Sequence, residues 1–151
     1  MKRALLLFTL VLFSSAFLAT NLYRLPQQQL ESKQESIWKT EYKDDFILIQ
    51  SKIIVYESLS DGIKHERIVF KYTNFTKQSL TISFNRNLFY NGKCYGCEQP
   101  ERKYTVQLTA LETKEYSDKN KNQEYFIFSK DLQGFITNTL DTFHIVNLEK
   151  K

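Results

Sequence analysis

The chain has 151 residues, of which 21 are Lys or Arg and 17 are Asp or Glu, giving a formal charge of +4. This length predicts a single domain. Two cysteines exclude a disulfide-dense mini-protein, 42% hydrophobic residues exclude a disordered chain, and four glycines with two prolines exclude collagen-like repeats.

The first sixteen residues have the organisation of a signal peptide. Lys2 and Arg3 form a short basic region, an apolar run over 4–13 follows, and small residues stand at −3 and −1 of a cut after Ala16. Counted through Ala19, the apolar stretch is shorter than the roughly 20 residues that span a bilayer. The pattern therefore predicts cleavage and export to the periplasm or beyond, with an uncleaved anchor as the alternative.

Cleavage also changes the charge of the chain. Losing Lys2 and Arg3 leaves 19 basic side chains against 17 acidic ones, a net charge of +2. The remaining charges are interspersed, and the basic stripe typical of nucleic-acid binding is missing from the pattern. We therefore expect no nucleic-acid partner and no stable membrane span after cleavage.

Residues 17–45 are polar and weakly patterned, which predicts an N-terminal segment or tether, with a short helix possible. From Asp45 onward apolar residues alternate with polar ones, as in half-buried strands. Segment 46–56 is predicted as one long strand or two short ones. Asp61-Gly62, predicted as a type I′ turn, then leads into a strand over 63–72.

Further strands are predicted over 80–85, 88–90, 104–110, 125–128 and 143–148, with an Asn91-Gly92 turn after the second of these. The count is six to eight strands, without an amphipathic helix between them. Strands that lack crossover helices favour an antiparallel sandwich. Residues 46–151 are therefore predicted to form one all-β domain.

Cys94 and Cys97 form the only motif in the sequence that suggests a covalent, redox or metal-binding role, and three interpretations apply. An exported protein favours a structural disulfide closing a small ring. A thioredoxin-like redox pair would need a helix start after a strand. A zinc site would need two more ligands, and His65 and His144 lack ligand-pair spacing.

Patterns typical of an enzyme are missing. Asp141 and His144 lie three apart on a predicted strand, so their side chains should point to opposite faces. The chain has no nucleophile elbow, no Gly-rich phosphate loop and no H-E-x-x-H zinc motif. We expect no catalytic residues, no metal site and no cofactor. Phe89, Tyr90 and Tyr95 would form a contact patch if they are exposed together.

The stretch 68–100 combines a strand ending in Tyr72-Thr73-Asn74, a turn, the strand Leu80–Phe84, and Phe89-Tyr90-Asn91-Gly92-Lys93-Cys94 through Cys97. It resembles small exported bacterial proteins with an immunoglobulin-like sandwich and no assigned activity. The resemblance implies that fold and transfers no functional residues.

Taken together, these features predict a non-enzymatic binding or accessory module of the cell envelope or extracellular space. Its partner would be a protein or an envelope component, contacted through loops or an exposed strand edge. The alternative is a thiol-redox or metal-handling protein that uses Cys94 and Cys97.

Overall fold

The computed structural model describes residues 37–97, 99, 101–117 and 122–151. The described residues form nine strands and one 3-10 turn: β1 (Lys39–Lys43), β2 (Ile47–Ser58), β3 (Ile63–Asn74), β4 (Leu80–Tyr90), β5 (Lys93–Tyr95), β6 (Tyr104–Leu108), β7 (Thr113–Glu115), the turn Gln123–Tyr125, β8 (Phe126–Asp131) and β9 (Leu140–Lys150).

The strands make two sheets in which every pairing is antiparallel. In the first, sheet A, the order is β1-β2-β3, and β7 and β8 share the other edge of β3. In the second, sheet B, β4 is central, with β9 along one edge and β5 and β6 sharing the other. The predicted all-β antiparallel sandwich is confirmed.

The core lies between the sheets and follows the alternation of the sequence. Ile47 and Ile49 of β2 are buried, as are Ile82 and Phe84 of β4, whose polar neighbours lie on the outer face of sheet B. Aromatic rings join the layers: the Tyr72 ring centroid lies 6.0 Å from that of Phe84. The polar outer face predicted for this strand is therefore present.

Strand β2 is continuous, so the one-long-strand alternative is correct. The type I′ prediction for Asp61-Gly62 is wrong. The connection between Ser58 and Ile63 has four residues, and although the φ of Gly62 is +63°, that of Asp61 is not positive. Asp61 instead accepts a hydrogen bond from the Ser58 hydroxyl at 2.7 Å.

The Asn91-Gly92 pair does form a two-residue hairpin turn. It joins β4 to β5 with φ values of +48° and +73°, the pair of positive angles that a type I′ turn requires. The additional strands are short. Strand β5 lies in the cysteine loop, and β1 lies within the segment predicted as a tether, where the Ser51 hydroxyl donates to the Glu41 carboxylate at 2.7 Å.

The sandwich thus begins at Lys39, upstream of the predicted boundary at 46. The predicted signal peptide and residues 17–36 lie outside the described residues. The short helix considered possible within 17–45 is wrong over Lys39–Lys43, where the chain forms strand β1 instead. Among the residues that the structure describes, there is no candidate for a membrane-spanning helix.

Candidate binding surfaces

The β2–β3 hairpin extends beyond the part of sheet A that sheet B covers. Ser51 ends the buried row of β2, and the next residues in that row, Ile53 and Val55, are 50% and 57% exposed. Because side chains alternate along a strand, both point to the same side as the core residues. The hairpin therefore presents an apolar surface where the core pattern continues without a second layer.

The loop between β8 and β9 lies beside this hairpin. The Leu132 N–H donates to the Lys64 carbonyl at 3.2 Å, and the Gln133 side chain donates to the Gly62 carbonyl at 2.9 Å. Phe135 and Ile136 of this loop are exposed. We call the following exposed side chains of the hairpin and the loop the apolar end: Ile53, Val55, Leu59, Leu132, Phe135 and Ile136.

The loop is ordered by one carboxylate. Asp131 accepts hydrogen bonds from the N–H groups of Gln133, Ile136 and Phe135, at 2.9, 2.9 and 2.6 Å. These bonds, that from Gln133 first, hold the pKa of Asp131 below its ordinary value. The Asp131 carboxylate therefore fixes the backbone of the loop from which the apolar side chains project.

The disulfide hairpin β4–β5 lies near the same end. The Tyr90 hydroxyl donates to the Phe128 carbonyl of sheet A at 2.5 Å, and burial raises the pKa of Tyr90 to about 12. The Tyr90 and Tyr95 rings meet edge to face at 5.7 Å. Phe89 lies on the opposite face of the strand against His144, at 5.6 Å. The structure thus brings together two of the three residues predicted as a patch.

Cys94 and Cys97 are joined by a disulfide, with their Cα atoms 6.0 Å apart. The loop is packed tightly against β4: a Cβ built on Gly96, whose φ is +93°, would lie 2.5 Å from the Arg86 carbonyl oxygen. Among the described residues, the only helical turn is Gln123–Tyr125, and no group of three metal-ligating side chains occurs. The Cys94–Cys97 bond closes the small ring of the disulfide interpretation.

The outer face of sheet A carries cations stacked on aromatic rings. Trp38, just before β1, lies with its ring centroid 4.5 Å from the Lys52 Nζ and 4.3 Å from the Lys71 Nζ. Beneath this cluster Val69 points away from the core, yet it is only 1% exposed. Side chains from both edges of the sheet therefore cover this face in part.

Arg67 organises the neighbouring part of the same face. Its guanidinium carbon lies 3.6 Å from the Tyr56 ring centroid and 4.4 Å from that of Phe126. Its Nη1 donates to the Tyr116 hydroxyl at 2.8 Å, and its Nε donates to His65 Nε2 at 2.7 Å. Burial and the positive charge of Arg67 together lower the pKa of His65, so the imidazole accepts this bond in its neutral form.

A cavity of about 200 Å³ opens between these two clusters. Ile54 and Val69 provide apolar lining from β2 and β3, Trp38 enters from the β1 edge, and Tyr116 enters from the β7 edge. Lys52, Glu115 and Ser117 complete the lining.

Arg86 is a charged residue of the kind often found in functional sites, but its side chain is buried in the core at 4% exposure. Its Nη1 donates to the Gln123 and Phe126 carbonyls at 2.9 and 3.1 Å, and its Nη2 donates to the Glu124 carbonyl. Burial lowers its pKa, and its Nε has no hydrogen-bond partner among the described residues. Sequence reasoning missed this residue, although it continues the core-facing alternation of β4.

Comparison of the chain with protein-family models, curated protein sequences and solved structures found no significant match. The resemblance of 68–100 to exported immunoglobulin-like proteins therefore stays a prediction.

Proposed function

We propose that this protein is an exported, non-enzymatic binding module of the cell envelope or extracellular space, and that it contacts a protein partner through its apolar end. Export rests on the signal-peptide pattern of the first sixteen residues. The observation that carries the proposal is the uncovered row of Ile53 and Val55, which continues the core pattern into solvent. Contiguous apolar surface bordered by polar residues is typical of protein interaction sites.

Charged pairs lie along the hairpin beside this surface. Lys64 and Glu57 approach to 3.7 Å, and Lys130 and Glu66 approach to 3.4 Å. The Ser129 hydroxyl also donates to Glu66 at 2.8 Å. An apolar centre with a polar rim is the usual composition of a protein–protein interface.

The edge of β2 adds a second means of contact. β1 pairs with β2 only from Leu48 to Ser51, so in the described part of the chain the β2 edge from Ile53 to Ser58 has no neighbouring strand. An unpaired edge offers main-chain donors and acceptors to an incoming strand. A partner segment that added here would lie directly beside the exposed Ile53 and Val55 side chains.

Site-specific photo-crosslinking in cells tests this proposal. A photo-crosslinking amino acid at Val55 or Phe135 should give one dominant covalent product, whereas the same residue at Gln107, on the outer face of sheet B, should not. Adding Val55→Glu to the Phe135 probe should abolish that product, because it places an unpaired charge in the interface. Equal labelling from all three positions, or no product from Val55 and Phe135, would contradict the proposal.

The thiol-redox or metal-handling alternative depends on Cys94 and Cys97 alone. Replacing both by Ser should leave the Val55 crosslink unchanged if the protein is a binding module with a structural clamp. If a strain lacking the protein has a phenotype that this variant fails to restore, with the crosslink and the fold intact, that result would favour the alternative.

A further inference from the structure

We propose that Asn91 is a site of spontaneous deamidation, and that Asp141 and the end of the β8–β9 loop suppress this reaction in the folded protein. Asn91-Gly92 is the only Asn-Gly pair of the chain, and both residues are exposed at the turn between β4 and β5. This site goes beyond the proposed function, because it concerns a covalent change at the turn and requires no partner.

The reaction needs only the turn and water. The Gly92 main-chain nitrogen attacks the Asn91 side-chain carbonyl carbon, Cγ, so that an N–Cγ bond forms and the Cγ–Nδ2 bond breaks. The proton of the Gly92 nitrogen and the amide nitrogen of Asn91 leave together as ammonia. Water then opens the resulting succinimide at either of its two carbonyls, which gives aspartate or isoaspartate. Glycine favours the attack because it has no Cβ to hinder the approach of its nitrogen.

The conformation of the turn opposes ring closure. Asn91 has a φ of +48° in a type I′ turn, for which ψ is about +30°. At these angles the Gly92 nitrogen lies nearly opposite the Asn91 Cβ across the Cα–C bond, whereas a five-membered ring needs the two atoms on the same side. Asn91 must therefore leave the left-handed conformation before the nitrogen can reach Cγ.

The end of the β8–β9 loop holds Asn91 in that conformation. The Asn91 Nδ2 donates to the Asn138 Oδ1 at 3.2 Å, and its Oδ1 accepts a hydrogen bond from the Thr139 N–H at 3.3 Å. The Asn91 main-chain N–H also donates to the Thr139 carbonyl at 3.3 Å. Rotation of Asn91 toward the reactive geometry would break these bonds, which adds to the barrier.

Asp141 restrains the attacking nitrogen. The Gly92 N–H donates to the Asp141 Oδ2 at 2.7 Å, a charge-assisted hydrogen bond. Attack requires this proton to leave, and the amide anion that forms would face a carboxylate, which repulsion between like charges disfavours. Asp141 therefore keeps the Gly92 nitrogen protonated and fixes its position in the turn.

Peptide mapping by mass spectrometry tests the proposal. The purified protein is incubated in mildly alkaline buffer, folded in one sample and unfolded by denaturant in the other, and the Asn91 peptide is quantified over time. The unfolded chain should accumulate both aspartate and isoaspartate at Asn91, the two products of a succinimide. The folded protein should react at least about tenfold more slowly, because several hydrogen bonds must break before attack.

Asp141→Ala should raise the rate in the folded protein about tenfold, the equivalent of one charge-assisted hydrogen bond. Asn138→Ala, which removes a neutral acceptor, should raise it less. The matched control is Asp61→Ala, which removes the carboxylate from the turn between β2 and β3 and should leave the rate at Asn91 unchanged. Thermal unfolding of each variant verifies that the fold is intact.

Three results would overturn the proposal. Equal rates in the folded and the unfolded chain would show that the turn gives no protection. No reaction in the unfolded chain would show that Asn91 is not a modification site. A rate in folded Asp141→Ala that is unchanged or lower would show that the carboxylate does not restrain the nitrogen, and a lower rate would mean that it acts as a base in the attack.

Discussion

Two arginines of this sandwich are stacked on aromatic rings, one inside and one outside. The Arg86 guanidinium carbon lies 4.5 Å from the Phe70 ring centroid and 4.3 Å from that of Tyr104, between the sheets. The Arg67 guanidinium carbon has ring neighbours at 3.6 and 4.4 Å, on the outer face of sheet A. Each also donates a hydrogen bond to a tyrosine hydroxyl.

Their remaining bonds differ. Arg86 donates to the main-chain carbonyls of Gln123, Glu124 and Phe126, and so attaches the turn before β8 to the central strand of sheet B. Arg67 donates to another side chain, His65, beside an open cavity. A stacked guanidinium thus cross-links the two sheets in the core, whereas on the surface it orients side chains beside an open cavity.

The largest effect should follow from replacing the inner arginine. Arg86→Met keeps the apolar contacts but removes three charge-assisted hydrogen bonds to main-chain carbonyls, so we expect a loss of about 4 kcal/mol in the free energy of unfolding. Arg67→Met should cost about 1 kcal/mol, because its cation–π and hydroxyl contacts are partly exposed. Denaturant unfolding of both variants measures the difference, and equal losses would show that the two arginines play the same role.

A smaller effect should come from Gly96, which contacts the Arg86 main chain. Gly96→Ala would force its Cβ against the Arg86 carbonyl in addition to straining a positive φ, and we expect a loss of about 3 kcal/mol. Gly134→Ala is the matched control: its φ is +83°, and nothing lies within 4 Å of the added Cβ. That control should lose only about 1 kcal/mol. A similar loss in both variants would mean that the β4 backbone shifts at little cost to accommodate the added Cβ.

We expect the disulfide to contribute less to the free energy of unfolding than the packing of Gly96 against β4, which it holds in place. Replacing Cys94 and Cys97 by Ser opens a four-residue ring, for which loop entropy gives about 2 kcal/mol. Chemical denaturation of the oxidised protein and the double variant measures this loss, and alkylation of the native protein should detect no thiol. An unchanged stability would show that Gly96 packs against β4 without the clamp.

The alternation of Leu80, Ile82 and Phe84 was enough to predict the inner and outer faces of sheet B. The same alternation places Arg86 inside, but a charged residue is seldom buried without partners. Its hydrogen-bond acceptors lie in residues 123–126, and no local sequence pattern predicts a contact between residues so far apart in the chain. The periodicity alone therefore places Arg86 inside, whereas the groups that satisfy its charge there are visible only in the structure.

The two candidate surfaces depend on sheet order and extent, which the sequence does not encode locally. Ile53 and Val55 continue a core pattern, and only the reach of sheet B leaves them uncovered. Trp38 and Tyr116 line one cavity because β1 and β7 lie on opposite sides of the β2–β3 pair. A search for short motifs could find the cysteine pair, but it could not find these sites.

The smallest expected effect is a pH dependence of stability that involves Arg67, the outer arginine, and its neighbour His65. Burial and the charge of Arg67 lower the folded-state pKa of His65 below its ordinary value of 6.5, so the unfolded chain binds the proton more readily. Stability contributed by neutral His65 should therefore be fully present above pH 6.5 and should be lost as pH falls below it. The free energy of unfolding at pH 8 and pH 5.5 should differ less in His65→Gln than in the wild type. Arg67→Met should also reduce the difference, because it removes the positive charge that opposes protonation. If the free energy of unfolding depends on pH to the same extent in both variants as in the wild type, Arg67 and His65 are not coupled. The charge of Arg67 would then not organise its neighbours on the outer face as the charge of Arg86 does in the core.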